Sequence, residues 1–270
     1  MDNFDQAEGL RRMLFGAKPR FVTFLSALPH DEKNATLVNL SKGLHRLGSD
    51  VVLLDARHTG AGTARWLEQR IDFTLCDVAR QKCLIEQATP SGSQGFKLAS
   101  LSRNQHTNAN IQPNSALLTK LNQTVQKLGN SVDIVLVDGE LDAADRLAAA
   151  ALEEGEIVIQ VTNQTDSVKA AYSLIKRSHS QFGRREYGLL VTGVNEQEAR
   201  RVYDAMAKAA GNFLSVPINF FGYVPEDDYL RRASRSGKSV LDAFPLAGAS
   251  MAFGKLAQAM AGYPEFATLN

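Results

Sequence analysis

The sequence predicts an α/β fold: a mostly parallel sheet with helices on both faces, preceded by a short amphipathic N-terminal helix. Three observations carry this prediction. Short, near-continuous apolar runs recur along the chain, the pattern of strands buried on both faces. Longer segments with apolar residues three and four apart separate these runs, as crossover helices do. Glycines and polar clusters fall at the joints. The 270 residues divide into a helix at 1–16, a linker at 17–20 and a single α/β domain at 21–270.

The elements follow in order. In the first helix Asp2 or Asn3 is the cap, and Phe4, Ala7, Leu10 or Arg11, and Leu14 recur at helical spacing. Asp5 and Glu8 lie in its first turns and Arg11 and Arg12 in its last, which suits the helix dipole. Gly16 ends it. "RFVTFLS" is the first strand, and "KNATLVNLSKGLHRLG" is a helix closed by Gly48. "DVVLLDA" is the second strand. "VDIVLVDG", "EIVIQVT", "EYGLLVTGV" and "NFFGYVP" follow, with helices between them. Residues 89–114 are rich in Ser, Gly, Asn and Gln, and predict one strand, "FKLASL", and a loop.

Composition excludes several classes of function. Lys and Arg total 30 against 29 Asp and Glu, a net charge of +1 with no basic concentration, so no nucleic-acid surface is expected. Cys76 and Cys83, seven apart and predicted to share a helix face, read as a reduced pair. The 5 histidines form no ligand spacing, so no metal site is expected. No apolar run reaches the ~20 residues of a bilayer span, and the acidic, polar start is no signal peptide. The expected location is cytoplasmic. The final helix, with Met251, Phe253, Leu256 and Met260 on one face and Lys255 as its lone cation, reads as core-packed, its membrane contact weak or indirect.

"FLSALPHDEKNATLVNL" has the outline of a strand, a phosphate loop and a helix, but the loop holds no glycine. Glycines let backbone N–H groups wrap phosphate closely. Pro29 offers no N–H, and Asp31 and Glu32 would face the phosphates. At ~4 Å and an effective dielectric near 20, each such repulsion is about 4 kcal/mol. Two of them offset most of a micromolar affinity, roughly 8 kcal/mol. From these residues alone, an ordinary strand–loop–helix connection and a degenerate nucleotide site both stand.

From residue 20 onward the chain resembles the MinD/ParA class of deviant P-loop ATPases. In that class the loop reads S-G-K-G-G-V-G-K-T. Ser26 and Lys33 match it, Leu28 stands at the signature lysine, and Asn34 stands where a Thr ligates Mg²⁺. "VVLLDAR" resembles the strand ending D-A-D: Asp55 matches its first carboxylate, and Arg57 replaces the second, which in active members orients the attacking water. "IVLVDGELD" resembles the Walker B strand, with Asp138 in the metal-supporting position. Ser26, Lys33, Asn34, Asp55, Arg57 and Asp138 thus form a vestigial nucleotide site. Lys33 and Arg57 are expected to neutralise Asp31, Glu32, Asp55 and Asp138. The departures imply no catalytic residues and a pseudo-ATPase without cofactor, the alternative being ATP or ADP held with Mg²⁺ and slow or no hydrolysis. Leu28 implies a monomer, or a dimer indifferent to nucleotide.

"DQAEGLR" at 5–11 resembles the D-Q-A-x-x-L-R segment of the FlhG family (also FleN or YlxH), MinD-like regulators of flagellar number and placement. "FFGYVPEDDYLRRASRSGKSVLDAFP" and "DFTLCDVARQKCLIEQA" resemble further segments of that family. The resemblance implies that Asp5, Gln6, Ala7, Leu10 and Arg11 contact and stimulate FlhF, a GTPase of the signal-recognition type. Flagellar C-ring proteins or transcriptional regulators are the other implied partners. A degenerate MinD-like partner in pilus placement or polysaccharide secretion is the competing role.

Overall fold

The computed structural model describes residues 20–28, 30–57, 62–102 and 116–262. The N-terminal segment with Asp5, Gln6, Ala7, Leu10 and Arg11 lies outside them.

Among the described residues seven strands form one sheet in the order β3-β2-β4-β1-β5-β6-β7, and every strand pairing in it is parallel. They are β1 (Phe21–Ser26), β2 (Val51–Ala56), β3 (Lys97–Ser100), β4 (Ile134–Gly139), β5 (Glu156–Val161), β6 (Tyr187–Thr192) and β7 (Ile218–Val224). The helices are α1 (His30–Arg46), α2 (Thr63–Trp66), α3 (Leu75–Ala79), α4 (Ala116–Asn130), α5 (Thr165–Phe182), α6 (Glu196–Leu214), α7 (Asp228–Arg235), α8 (Val240–Ala243) and α9 (Gly248–Met260). The α/β, mostly parallel architecture is the one the apolar runs predict.

The sheet is covered on both faces because each strand sends alternate side chains to opposite sides. Phe21, Leu25, Val135, Val137, Ile157 and Ile159 face one core, into which α4, α5 and α6 pack Val125, Ile175 and Met206. Val22, Phe24, Leu136 and Val158 face the other, against Leu37 and Leu40 of α1 and Phe253 and Leu256 of α9. Phe253, Leu256 and Met260 are buried, so the last helix is part of the core, with Met251 on its exposed side. Among the described residues no helix is long and apolar enough to cross a membrane.

Helix ends agree with local chemistry. Gly48 has φ +89° just beyond α1, a left-handed conformation that glycine adopts without steric cost. Asn195 caps α6 by accepting from the Glu198 amide, and the Glu198 carboxylate accepts from the Asn195 amide in return. A buried polar link ties α1 to the C-terminal third. Asn39 Oδ1 accepts from Ser239 Oγ and the Val240 amide, both at 2.8 Å, while Asn39 Nδ2 donates to the Ala35 carbonyl at 2.7 Å.

One sequence expectation fails. Cys76 is buried within α3, but that helix ends at Ala79, so Cys83 lies beyond it and shares no helix face with Cys76. The Arg80 amide donates to the Cys76 carbonyl and the Lys82 amide to the Asp77 carbonyl, while Gln81 adopts φ +60°, turning the chain out of the helix.

Candidate functional site

The parallel sheet places its strand-to-helix loops along one edge, the carboxyl ends of the strands, where open α/β sheets bind ligands. β1, β2 and β4 meet there. Asp55 near the end of β2 and Asp138 near the end of β4 are register partners, so their carboxylates emerge side by side. α1 starts beyond β1 and puts Lys33 and Asn34 in its first turns, where both are buried.

These residues form one buried polar cluster. Lys33 Nζ lies 2.6 Å from Asp138 Oδ1 and donates to the Gly139 carbonyl at 2.5 Å. Arg57 Nε lies 3.0 Å from Asp138 Oδ2 and 3.5 Å from Asp55 Oδ1. The Arg57 amide also donates to Asp55 Oδ1 at 3.2 Å. Thr63 Oγ1 donates toward Asn34 Oδ1 at 3.1 Å and stands 3.4 Å from Asp138 Oδ2. Asp138 is 0% exposed, Lys33 4% and Arg57 6%, so water screens these charges little. Burial pushes the Asp55 carboxyl above its ordinary value, as does the neighbouring Asp138 charge, while Arg57 acts against both.

Of the six residues of the expected nucleotide site, Lys33, Asn34, Asp55, Arg57 and Asp138 come together. Ser26 stands at the end of β1, where its Oγ accepts from the Leu28 amide at 3.0 Å. Glu32 departs from expectation. It is exposed, and no ion pair among the described residues includes it. The reason is helical geometry: on α1, Glu32 and Lys33 are successive residues about 100° apart, so a buried Lys33 turns Glu32 toward solvent. Pro29 lies outside the described residues, as does the side chain of Asp31.

Sequence reasoning missed Thr63 and Gly62. Gly62 is the N-cap of α2, and a Cβ there would sit 1.6 Å from Asp55 Oδ2. The signal was in "HTGAGT", the run of small residues that follows β2 in the sequence. Arg177 of α5 was also missed. It pairs with Asp145 and joins Ser26, Leu28, Lys33, Arg57 and the acidic Glu140 around a cavity of about 180 Å³.

The cavity holds three cationic side chains at a P-loop position, but each is paired with a carboxylate: Lys33 with Asp138, Arg57 with Asp138 and Asp55, and Arg177 with Asp145. Glu140 lines the same space, so its chemistry fits phosphate oxygens only once a cationic side chain is released from its partner. Its size is below the roughly 300–1,000 Å³ of small-molecule sites, which suits a phosphate end and not a whole nucleotide. A divalent cation finds both oxygens of Asp138 already engaged by Lys33 and Arg57.

No family model matches the chain. The antiactivator FleN of Pseudomonas aeruginosa is 26% identical over 233 residues, covering 86% of this chain and 82% of the relative. The septum site-determining protein MinD of a Synechocystis strain is 25% identical over 235 residues, covering 85% of each. Among solved structures, the MinD cell division protein of Aquifex aeolicus has a TM-score of 0.67 at 20% identity, covering 90% of this chain and 97% of that one. MinD from Pyrococcus horikoshii, complexed with Mg-ADP, has a TM-score of 0.65 at 20% identity, with 90% and 97% covered. The latter corrects the expectation that this chain takes no cofactor and favours its alternative, ATP or ADP with Mg²⁺, since a protein of the same fold was solved with nucleotide and metal. Missing loop glycines misled because they speak to one means of gripping phosphate, while a lysine and two strand-end carboxylates persist here. By sequence and fold together, the chain is a distant homologue of the MinD/ParA-like P-loop ATPases, a FleN-named protein among its low-identity relatives.

Proposed function

We propose that this chain is a MinD-type switch protein that binds an adenine nucleotide with slow or no hydrolysis and acts in controlling flagellar number and placement. The observation that carries the nucleotide reading is the position of Lys33. It stands in the first turns of the helix after β1, paired with Asp138 and lining a cavity that it shares with Arg57, Arg177 and Glu140. Slow or absent hydrolysis follows from Arg57, which occupies the place of a water-orienting carboxylate and cannot accept a proton. The Lys33–Asp138 contact must loosen for Lys33 to reach a phosphate, so nucleotide binding and rearrangement of the cluster are one event.

Calorimetric titration of the full chain with Mg-ATP and Mg-ADP tests this. Saturable binding that Lys33→Ala weakens at least tenfold, with phosphate release at the buffer background, is the expected result. Absence of binding at millimolar nucleotide overturns it.

The flagellar assignment is supported by the FleN relative and by the segment holding Asp5, Gln6, Ala7, Leu10 and Arg11. In this reading the segment docks into a groove of an FlhF-like GTPase and stimulates it, as amphipathic helices do when presented from a scaffold. The full chain is expected to speed GTP turnover by the cognate FlhF, and Gln6→Ala with Arg11→Ala to abolish the effect. An unchanged turnover rate in the presence of the full chain would remove the role. Because Leu28 replaces the lysine that reaches across the dimer in the resembled class, light scattering should give the same mass with and without ATP.

A further inference from the structure

We infer that Arg57 occupies the seat of a divalent cation, so that metal and guanidinium compete for the same carboxylates. The inference deepens the nucleotide-switch reading of this site, and rests on it for its meaning in the cell. It makes Arg57 the residue that sets metal affinity here.

Oxygens of Asp55 and Asp138 flank Arg57 Nε, and Thr63 links Asp138 in turn to Asn34. Asp138 Oδ2 is 3.0 Å from Arg57 Nε and 3.4 Å from Thr63 Oγ1. Thr63 Oγ1 is in turn 3.1 Å from Asn34 Oδ1, and Asp55 Oδ1 is 3.5 Å from Arg57 Nε. Carboxylate, hydroxyl and amide oxygens are the ligands hard divalent cations prefer. Asp138, Thr63 and Asn34 are each at most 2% exposed, so a charge that leaves the cluster must be replaced. Arg57 supplies that charge from the chain itself. Its guanidinium is always protonated and does not dissociate, so it neutralises the pair without any free ion. Among the described residues no group of three or more His, Cys, Asp or Glu could hold a metal ion, and the other oxygens in this cluster belong to Asn34 and Thr63. Lys33 holds the remaining Asp138 oxygen.

Removing the guanidinium should therefore open a cation site. Mn²⁺ binding by the full chain, read by the loss of the free-ion paramagnetic resonance signal, tests this without nucleotide. Arg57→Ala is expected to bind Mn²⁺ at least tenfold more tightly than wild type. Arg57→Gln keeps most of the bulk, removes the charge and should shift affinity in the same direction, which covers the case in which the alanine variant does not fold. Adding Asp138→Asn to either variant should return affinity to the wild-type level. Equal Mn²⁺ affinity in wild type and both Arg57 variants overturns the inference, as does a gain that survives Asp138→Asn. The ATP titrations report separately. A gain in Mn²⁺ affinity without any ATP binding defeats the nucleotide reading alone, and ATP binding without that gain defeats this inference alone.

Discussion

Lys33 and Asp138 form a buried ion pair with 2.6 Å between Nζ and Oδ1, joining the first turns of α1 to the end of β4. Breaking a buried pair from one side leaves an uncompensated charge, which costs about 3–5 kcal/mol. Asp138→Ala takes the ion-pair partner from Lys33 and the nearer carboxylate from Arg57, and should fall at the upper end of that range in urea unfolding. Lys33→Ala leaves Asp138 its contact with Arg57 and should fall at the lower end. An Asp138→Ala chain as stable as wild type would show that the cluster does not fix this edge of the sheet.

Asp55 gives a pH prediction. Its carboxyl is raised from 3.8, so the folded chain holds that proton more tightly than the unfolded chain. Its favourable contribution is fully present below 3.8 and is lost as pH rises through the folded-state value. Asp55→Asn, which cannot ionise, should melt at a higher temperature than wild type near pH 7. That difference should shrink as pH is lowered toward 4. A gap that instead widens on acidification would show that the Asp55–Arg57 attraction outweighs burial.

Gly43 of α1 faces α9 so closely that a Cβ would lie 2.8 Å from Ala257 Cβ and 3.4 Å from the Phe253 carbonyl oxygen. Both neighbours are short or fixed, so the helices would have to part. Overpacking of this kind costs about 1–3 kcal/mol. Gly43→Ala is expected to lose that much in urea denaturation, and Gly43→Leu more.

The two thiols should differ in reactivity. Burial raises the Cys76 thiol pKa, and the side chain is only 2% exposed. Cys83 is also shifted upward but lies half-buried beyond α3. With an aromatic disulfide reagent at pH 8, Cys83 should be modified first and Cys76 only on unfolding, since the thiolate must be both formed and reached. Equal rates in the native chain would place Cys76 in a segment that opens readily.

Much of the fold was legible because a parallel strand covered on both faces is written as a continuous apolar run. "FVTFLS", "VVLLDA" and "IVLVDG" each coincide with a strand. The opposed charges of Lys33, Arg57, Asp55 and Asp138 were legible for a related reason: each sits at or just beyond a strand end or helix start whose location those runs disclose. Thr63 was not legible. Its bond to Asn34 joins separate loops, and nothing local to "GTARW" tells a buried hydroxyl from an exposed one. Glu32 misled because a loop drawn flat shows neighbours together, whereas a helix sends successive residues to different sides. The short α3 misled over Cys83, since apolar spacing continued past a turn that Gln81 takes with positive φ.

The carboxamide of Asn39 has a mechanical consequence. It is clamped by three hydrogen bonds, two from the Ser239–Val240 corner and one to its own helix. A rod pinned through its middle to a distant corner of the fold cannot roll about its axis without wrenching that corner along. Adjustment beside Lys33 is therefore confined to side-chain swings or to a glide of α1 and α8 as one piece.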